Sequence, residues 1–294
     1  MVHSAFITAS RWAPVAVLAA AVLFGSTGTA RELGPDEATT LGVGAVRLTL
    51  GAAVLGLGVA AMGRSWCRLN TRLVVVGGAA VAAYQVTFFA GTERTGVTVG
   101  TVTALASGPV IAGVIDTCLH RRRPTNRWMA ATGLAIVGVI VAVIAAGSVR
   151  FDAVGTLAAV GAGGSYAAYA TTVSRLMAQG ADALASMAAT FLVGGVLIAP
   201  LLFTEPLDWV TTSSGLTMSM HLGVGTVSVA YALYALGLKH LSVPTAVTLT
   251  LAEPVTAAVL GRFVLDERVP WIGWSGMGLV VVALLMVGRS QDER

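Results

Sequence analysis

The chain has 294 residues, of which 56% are hydrophobic and 11% charged, with a mean hydropathy of +0.83. A soluble domain carries roughly 25% charged residues, so the composition excludes an ordinary water-soluble fold and points to a surface that faces lipid. The net charge of +4 does not imply nucleic-acid binding, because the basic residues lie in short clusters between apolar runs.

A membrane-spanning helix needs about 20 apolar residues. Ten such runs are predicted in chain order, at about 12–30, 40–61, 71–91, 95–118, 127–147, 153–178, 181–202, 214–238, 242–264 and 270–288. The first is read as a span rather than a cleaved leader, since its basic flank is weak and membrane insertion is the rule in the nine later runs. The connections are too short to hold a soluble domain. Cys67 and Cys118 fit no metal-ligand spacing, and reduced thiols are expected on the side assigned below as cytoplasmic.

Cation asymmetry sets the orientation. Twelve cations fall on one side of the membrane: Arg11, Arg64, Arg68, Arg72, Arg121, Arg122, Arg123, Arg127, Arg175, Lys239, Arg289 and Arg294. Five fall on the other: Arg31, Arg94, Arg150, Arg262 and Arg268. Most acids, from Glu32 and Asp36 to Asp266 and Glu267, share the poorer side. Both termini are therefore expected in the cytoplasm. The six tryptophans stand at or just outside span ends, as interfacial anchors do, whereas all five tyrosines lie inside spans and need polar partners there.

The segment from Val102 to Val137 aligns without a gap on Val247 to Val282, at an offset of 145. Thr103 matches Thr248, Pro109 matches Pro254, and Gly133 matches Gly278. Gly25-Ser26 against Gly164-Ser165 is a weaker echo at the start of each half. Five spans per half is an odd number, so the second half enters the membrane inverted. The expected fold is all-α integral membrane: ten transmembrane helices as two inverted five-helix repeats, 1–150 (spans 1–5) and 151–294 (spans 6–10).

Inverted repeats build transporters, and paired helix interruptions point to their binding site. Pro109 and Pro254 are the expected helix breaks. They differ in what precedes them, Gly108 in one half and Glu253 in the other. A charge at that depth costs about 2.5–3.5 kcal/mol. Glu253 is therefore either a site for a proton or a substrate amine, or a carboxyl satisfied by backbone groups that Pro254 frees. Arg47 lies about seven residues inside its span, roughly 10 Å deep at 1.5 Å per residue. It either anchors a substrate carboxylate, pairs with Glu253, or snorkels to the interface.

Tyr166/Tyr169 and Tyr231/Tyr234 are i,i+3 pairs, each on one helix face. They and Tyr84-Gln85 either line a cavity or bond across helices. Asp116, four residues before His120, reads as a local interfacial ion pair with the arginines, and His221 as a satisfied polar contact. The glycine clusters read as packing surfaces. Candidate substrate-binding residues are Arg47, Tyr84, Gln85, Ser107, Tyr231, Tyr234 and Glu253, with Glu253 also the proton-coupling candidate. The path is expected between the third, fourth, eighth and ninth spans. No catalytic residue, metal site or cofactor is expected.

Several stretches resemble the EamA family of the drug/metabolite transporter superfamily. Phe24-Gly25-Ser26 resembles the Trp-Gly-Ser of its first span, and Gly44-Ala45-Val46-Arg47 its second-span arginine pattern. Ala230-Tyr231-Ala232-Leu233-Tyr234-Ala235-Leu236 resembles its eighth span. Leu251-Ala252-Glu253-Pro254-Val255 followed by Leu265-Asp266-Glu267-Arg268 resembles its most recognisable signature, where the family usually has Gly-Glu instead of Asp-Glu. The resemblance covers essentially the whole chain. It implies a ten-helix inner-membrane carrier, in a family that exports amino acids, nucleosides or other metabolites.

The expected function is a secondary transporter in the cytoplasmic membrane, an exporter of amino acids or related compounds working by alternating access. No ATP-binding domain accompanies the spans, so a gradient must supply the energy. Its expected partners are a small-molecule substrate and the lipid bilayer, not nucleic acid; a homodimer is compatible with the sequence. The alternatives are a drug or nucleotide-sugar type carrier, a passive pore, or an intramembrane enzyme. No His-Glu-x-x-His, Gly-x-Ser-x-Gly or intramembrane aspartate pair supports the last. The orientation is testable. Reporter fusions after Arg294 should be active only when the reporter works in the cytoplasm, and activity confined to the opposite side would overturn it.

Overall fold

The computed structural model describes residues 2–121, 123–145 and 152–289. Arg122, Arg150, residues 290–294 and the expected boundary between residues 150 and 151 lie outside the described residues. The elements are helical: α1 (Val2–Gly25), α2 (Thr27–Glu32), α3 (Thr40–Ala61), α4 (Thr71–Thr95), α5 (Val97–His120), α6 (Asn126–Ala145), α7 (Ala153–Ala178), α8 (Ala183–Ile198), α9 (Ser213–Met220), α10 (Ala230–Leu238), α11 (Val243–Leu249), α12 (Glu253–Val264) and α13 (Trp271–Arg289). No strand is present among the described residues. Hydrocarbon offers no partner to a free backbone amide, so helices are the form such a sequence must take.

Helix starts are set by side-chain caps. Thr39 Oγ1 accepts from the Gly42 amide at 3.0 Å, Asp152 Oδ1 from Gly155 at 2.6 Å, and Asp182 Oδ1 from Leu184 and Ala185 at 3.0 Å. Each satisfies amide donors that the first helical turn leaves open.

Among the described residues, nine spans are long and apolar enough to cross a membrane. The sixth of the expected ten, α7, is as long but less apolar, and the reason is its position. Ala159, Ala162, Tyr166, Ala167, Tyr169, Ala170 and Val173 are all buried on it. A helix packed against protein on most sides does not need the hydropathy that lipid demands.

The packing obeys an exchange of halves, each span n taking the place of span n+5. α7 packs on α4 and α5; its counterpart α1 packs on α10 and on α11 and α12. α3 packs on the eighth span, and its counterpart α8 packs on α4. Three pairings join a helix to its own counterpart: α3 to α8, α5 to α11, and α6 to α13. The glycines show the same relation. A Cβ at Gly25 would meet Thr256, and one at Gly164 would meet Ile111; Thr256 stands 145 positions after Ile111. This is an architecture of two inverted five-helix repeats.

The halves are not identical in detail. The ninth span is broken: α11 ends at Leu249, Thr250–Ala252 is a 3-10 turn, and α12 starts at Glu253 with Pro254 in its first turn. Pro254 has no amide to donate to the Thr250 carbonyl four residues back. The matching interruption expected at Pro109 is not seen, since α5 stays helical through it. The eighth span carries a second departure, a nine-residue π-helical segment from His221 to Val229 between α9 and α10.

Tryptophans do not all sit at the lipid interface. Trp12 and Trp271 are exposed, but Trp209 is buried with Ala38, Val43, Met218 and Leu222, and its Nε1–H donates to the Pro206 carbonyl at 3.0 Å. In the connections after the second and sixth spans, Arg64 Nη1 lies 3.7 Å from Asp182 Oδ2.

α6 and α13 approach through glycine. A Cβ on Gly138 would lie 2.6 Å from the Gly276 carbonyl oxygen, and one on Gly276 would lie 2.5 Å from that of Gly138. Gly133 and Gly278, the pair matched by the repeat, face open space. Gly276→Leu is therefore expected to destabilise by about 1–3 kcal/mol through overpacking, measured as a lower thermal unfolding midpoint in detergent. Gly133→Ala and Gly278→Ala should be neutral or stabilising by up to about 1 kcal/mol from helix propensity. Equal losses at all three positions would rule out close approach as the cause.

Candidate functional site

Arg47 is carried by the second span, in the middle of a helix whose neighbours Ala45, Leu48 and Ala52 are buried. The residue is half-buried, and its Nε is buried without a hydrogen-bond partner. A small cavity of about 10 Å³ opens beside it, lined by Leu48, Val81, Tyr84, Gln85, Tyr169, Phe191, Val227 and Tyr231. That is about the space of one water molecule. The lining comes from the second, third, sixth, seventh and eighth spans. The fourth and ninth spans, expected on the path, do not line this cavity.

The tyrosines form one packed aromatic group. Tyr166 lies 5.2 Å from Tyr169 and 6.1 Å from Tyr234, ring centre to ring centre. Tyr231 lies 4.2 Å from Phe191, 4.9 Å from Phe24 and 6.0 Å from Tyr169. Tyr169 Oη–H donates to Tyr231 Oη at 3.1 Å, and Tyr166 Oη–H to Thr250 Oγ1 at 3.0 Å. The second bond ties the sixth span to the helix break. Interhelical bonds of this kind contribute about 0.6 kcal/mol each in membranes, so their chief effect is on register. Tyr84 stacks on Phe88 at 5.6 Å and meets Tyr166 edge-on at 6.4 Å. Gln85 is buried, and its Nε2 donates to the Gly44 carbonyl at 3.4 Å.

Glu253 is half-buried at the first position of α12. Among the described residues it makes no ion pair with Arg47 within 4.0 Å. Tyr84 and Tyr231 line the small cavity together with Arg47, whereas Glu253 begins the helix that follows the break, next to the turn whose Thr250 bonds Tyr166.

Three of the residues expected at the site, Ser107, Tyr234 and Glu253, do not line the Arg47 cavity. Ser107 donates to the Ala104 carbonyl at 3.1 Å and packs where Gly163 of α7 presses on α5. Tyr234 is fully buried and does not line the cavity. Conversely, Val81, Phe191 and Val227 line it but carry no distinguishing sequence signal, being apolar residues in apolar helices.

A larger cleft of about 520 Å³ opens at the end of the bundle that holds α2 and the start of α9. Its walls include Ser26, Thr29, Ser213, Thr217, His221 and Leu260. Ser26 Oγ lies 2.8 Å from His221 Nε2, the polar contact the sequence suggested for that imidazole. Asp116, expected to pair with the nearby arginines, lies 3.0 Å from His120 Nδ1. The cleft and the small cavity are linked by shared elements. Phe24, two residues before Ser26, touches Tyr231, and the π segment runs from His221 in the cleft to Val227 in the cavity.

Comparison with known proteins agrees with this architecture. The EamA-like transporter family matches twice, over residues 11–144 and 153–289. The chain is 37% identical over 285 residues to the Uncharacterized transporter YwfM of Bacillus subtilis (strain 168), covering 95% of this chain and 94% of that one. It is 25% identical over 223 residues to the Uncharacterized inner membrane transporter YicL of Salmonella typhimurium, covering 75% and 72%. A crystal structure described only as that of a protein superposes with a TM-score of 0.80 at 21% identity, over 93% of this chain and 95% of the other; this likeness concerns the fold alone. With two inverted five-helix repeats, two family matches across the chain and a transporter relative aligned over 95% of this chain, this multi-pass membrane protein belongs to the EamA-like transporter family of the drug/metabolite transporter superfamily.

Proposed function

We propose that the protein is a secondary carrier of the cytoplasmic membrane that exports amino acids or related zwitterionic metabolites by alternating access, with both termini in the cytoplasm. The observation that carries this reading is the separated charge pair. Arg47 Nε is buried without a hydrogen-bond partner, and Glu253 makes no ion pair with Arg47 within 4.0 Å. In a low-dielectric interior, unpaired charges are costly, and a solute bearing a carboxylate and an ammonium group would satisfy both. Arg47 offers planar donors that match a carboxylate. Glu253 offers acceptors beside the backbone break at Pro254, where the ninth span has a joint that its counterpart α5 lacks. The central cavity is too small for any such solute, so binding requires the helices around Arg47 to part. The aromatic group between the halves slides more readily than a knitted polar interface would.

The experiment is efflux and counterflow in proteoliposomes, guided by metabolite profiling of medium from overproducing cells. Arg47→Gln removes a charged hydrogen-bond partner worth about 1.5–3 kcal/mol, and is expected to raise the apparent KM for the exported zwitterion by roughly tenfold or more. Glu253→Gln is expected to insert and fold normally but to lose gradient-driven accumulation, while exchange survives if coupling is its only role. Full gradient-driven transport by both variants would overturn the reading.

A further inference from the structure

The wide cleft beside Ser26 has a polarity of its own. A hydroxyl carries one proton, and Ser26 gives its proton to the Leu23 carbonyl at 2.7 Å. Its 2.8 Å contact with His221 Nε2 therefore needs the imidazole to be the donor. That places a proton on Nε2 and leaves Nδ1 of the neutral ring as a lone pair. No further polar partner of this imidazole exists among the described residues. Thr217 has also spent its proton, on the Ser213 carbonyl at 2.8 Å. His221, Ser26 and Thr217 thus bring acceptor atoms to the cleft lining, beside the hydroxyls of Thr29, Ser213 and Ser214, and no Asp, Glu, Lys or Arg is among the lining residues. Leu33, Met218 and Leu260 supply apolar wall. His221 also begins the π segment, a helical form frequent at functional sites.

We propose that this cleft is a second solute site, distinct from the Arg47 cavity, that takes the ammonium group of the solute, with His221 Nδ1 as the acceptor that determines specificity and Ser26 as the positioning residue that holds its tautomer. The proposal rests on the carrier reading for the identity of the solute. A zwitterion leaving the centre ammonium-first, with its carboxylate released last from Arg47, would meet these acceptors at the mouth. The cleft holds neutral hydroxyls but no cation for a carboxylate, so a solute lacking an ammonium group is held there more weakly.

The test reads binding without transport. In a Cys67→Ser, Cys118→Ser background, Ser213→Cys places one thiol on the cleft wall, and its rate of reaction with a membrane-impermeant thiol reagent is followed in nanodiscs. The probes are L-alaninamide, an ammonium without a carboxylate, and propionate, a carboxylate without an ammonium. Alaninamide should slow labelling about threefold at a concentration of about twice its Kd, and propionate at the same concentration should slow it less. His221→Phe should abolish the protection, and Ser26→Ala should weaken it while leaving the unprotected rate unchanged. Equal protection by both probes, protection that persists in His221→Phe, or no protection by alaninamide at any concentration would overturn the proposal. If the His221 variant fails to fold, the nitrogen-15 spectrum of the imidazoles in the unaltered His221 protein decides. A neutral ring at position 221 protonated on Nδ1 would refute the assignment, and one protonated on Nε2 would support it. Absence of efflux in proteoliposomes would strike the carrier reading and leave the cleft result standing.

Discussion

In hydrocarbon every backbone amide and carbonyl must find its partner inside the protein, and at Pro254 the ninth span does so only by changing its form. Pro254 cannot donate to the Thr250 carbonyl, which accepts the Glu253 amide instead and closes the 3-10 turn Thr250–Ala252. Neighbouring helices bond to this turn. Tyr166 bonds Thr250 Oγ1, and the Thr132 and Thr248 hydroxyls meet at 3.1 Å just before the turn. Glu253 comes directly after the turn. Break, phenol and carboxylate form one unit, and the position of Arg47 has meaning only relative to it.

Close packing with little apolar driving force accounts for much of the remainder. Lipid is as apolar as leucine, so helix association depends on van der Waals fit and small residues. Gly138 with Gly276 and Gly163 with Ser107 bring backbones together where any larger side chain would collide. Ser228 adds a hydroxyl bond to the Gly51 carbonyl at 2.7 Å, joining the π segment to the second span. Such contacts are strong enough to order the bundle and few enough to let helices shift.

The symmetry of the halves and their departures from it serve different ends. Matching contacts, Gly25 on Thr256 and Gly164 on Ile111, show that one packing plan is used twice. The departures collect in the second half, as the turn before Glu253 and the π segment after Met220. Both departures border the aromatic group or the cleft. A perfectly symmetric structure would be equally open to both sides; here the wide cleft lies at one end and the Arg64–Asp182 ion pair at the other.

Much of this was legible in the order of residues. Hydropathy set the spans, because a helix facing lipid must be apolar along its length, and α7 was weakest in that signal because it faces protein. The constant offset of 145 revealed the repeat, since a duplication keeps its spacing even when side chains drift. Glu253 and Arg47 stood out as charges among apolar neighbours. What only the tertiary structure decided was which of them meet. Tyr234 and Ser107 share helix faces or motifs with site residues yet pack away from the Arg47 cavity, and Val81, Phe191 and Val227 line it without any mark in the sequence. The close glycines are Gly138 and Gly276 rather than the aligned Gly133 and Gly278. Pro109 and Pro254 align, yet only one breaks its helix. A proline removes the same hydrogen bond wherever it stands, but whether the helix yields depends on neighbours brought from other spans, and those are set by packing in three dimensions.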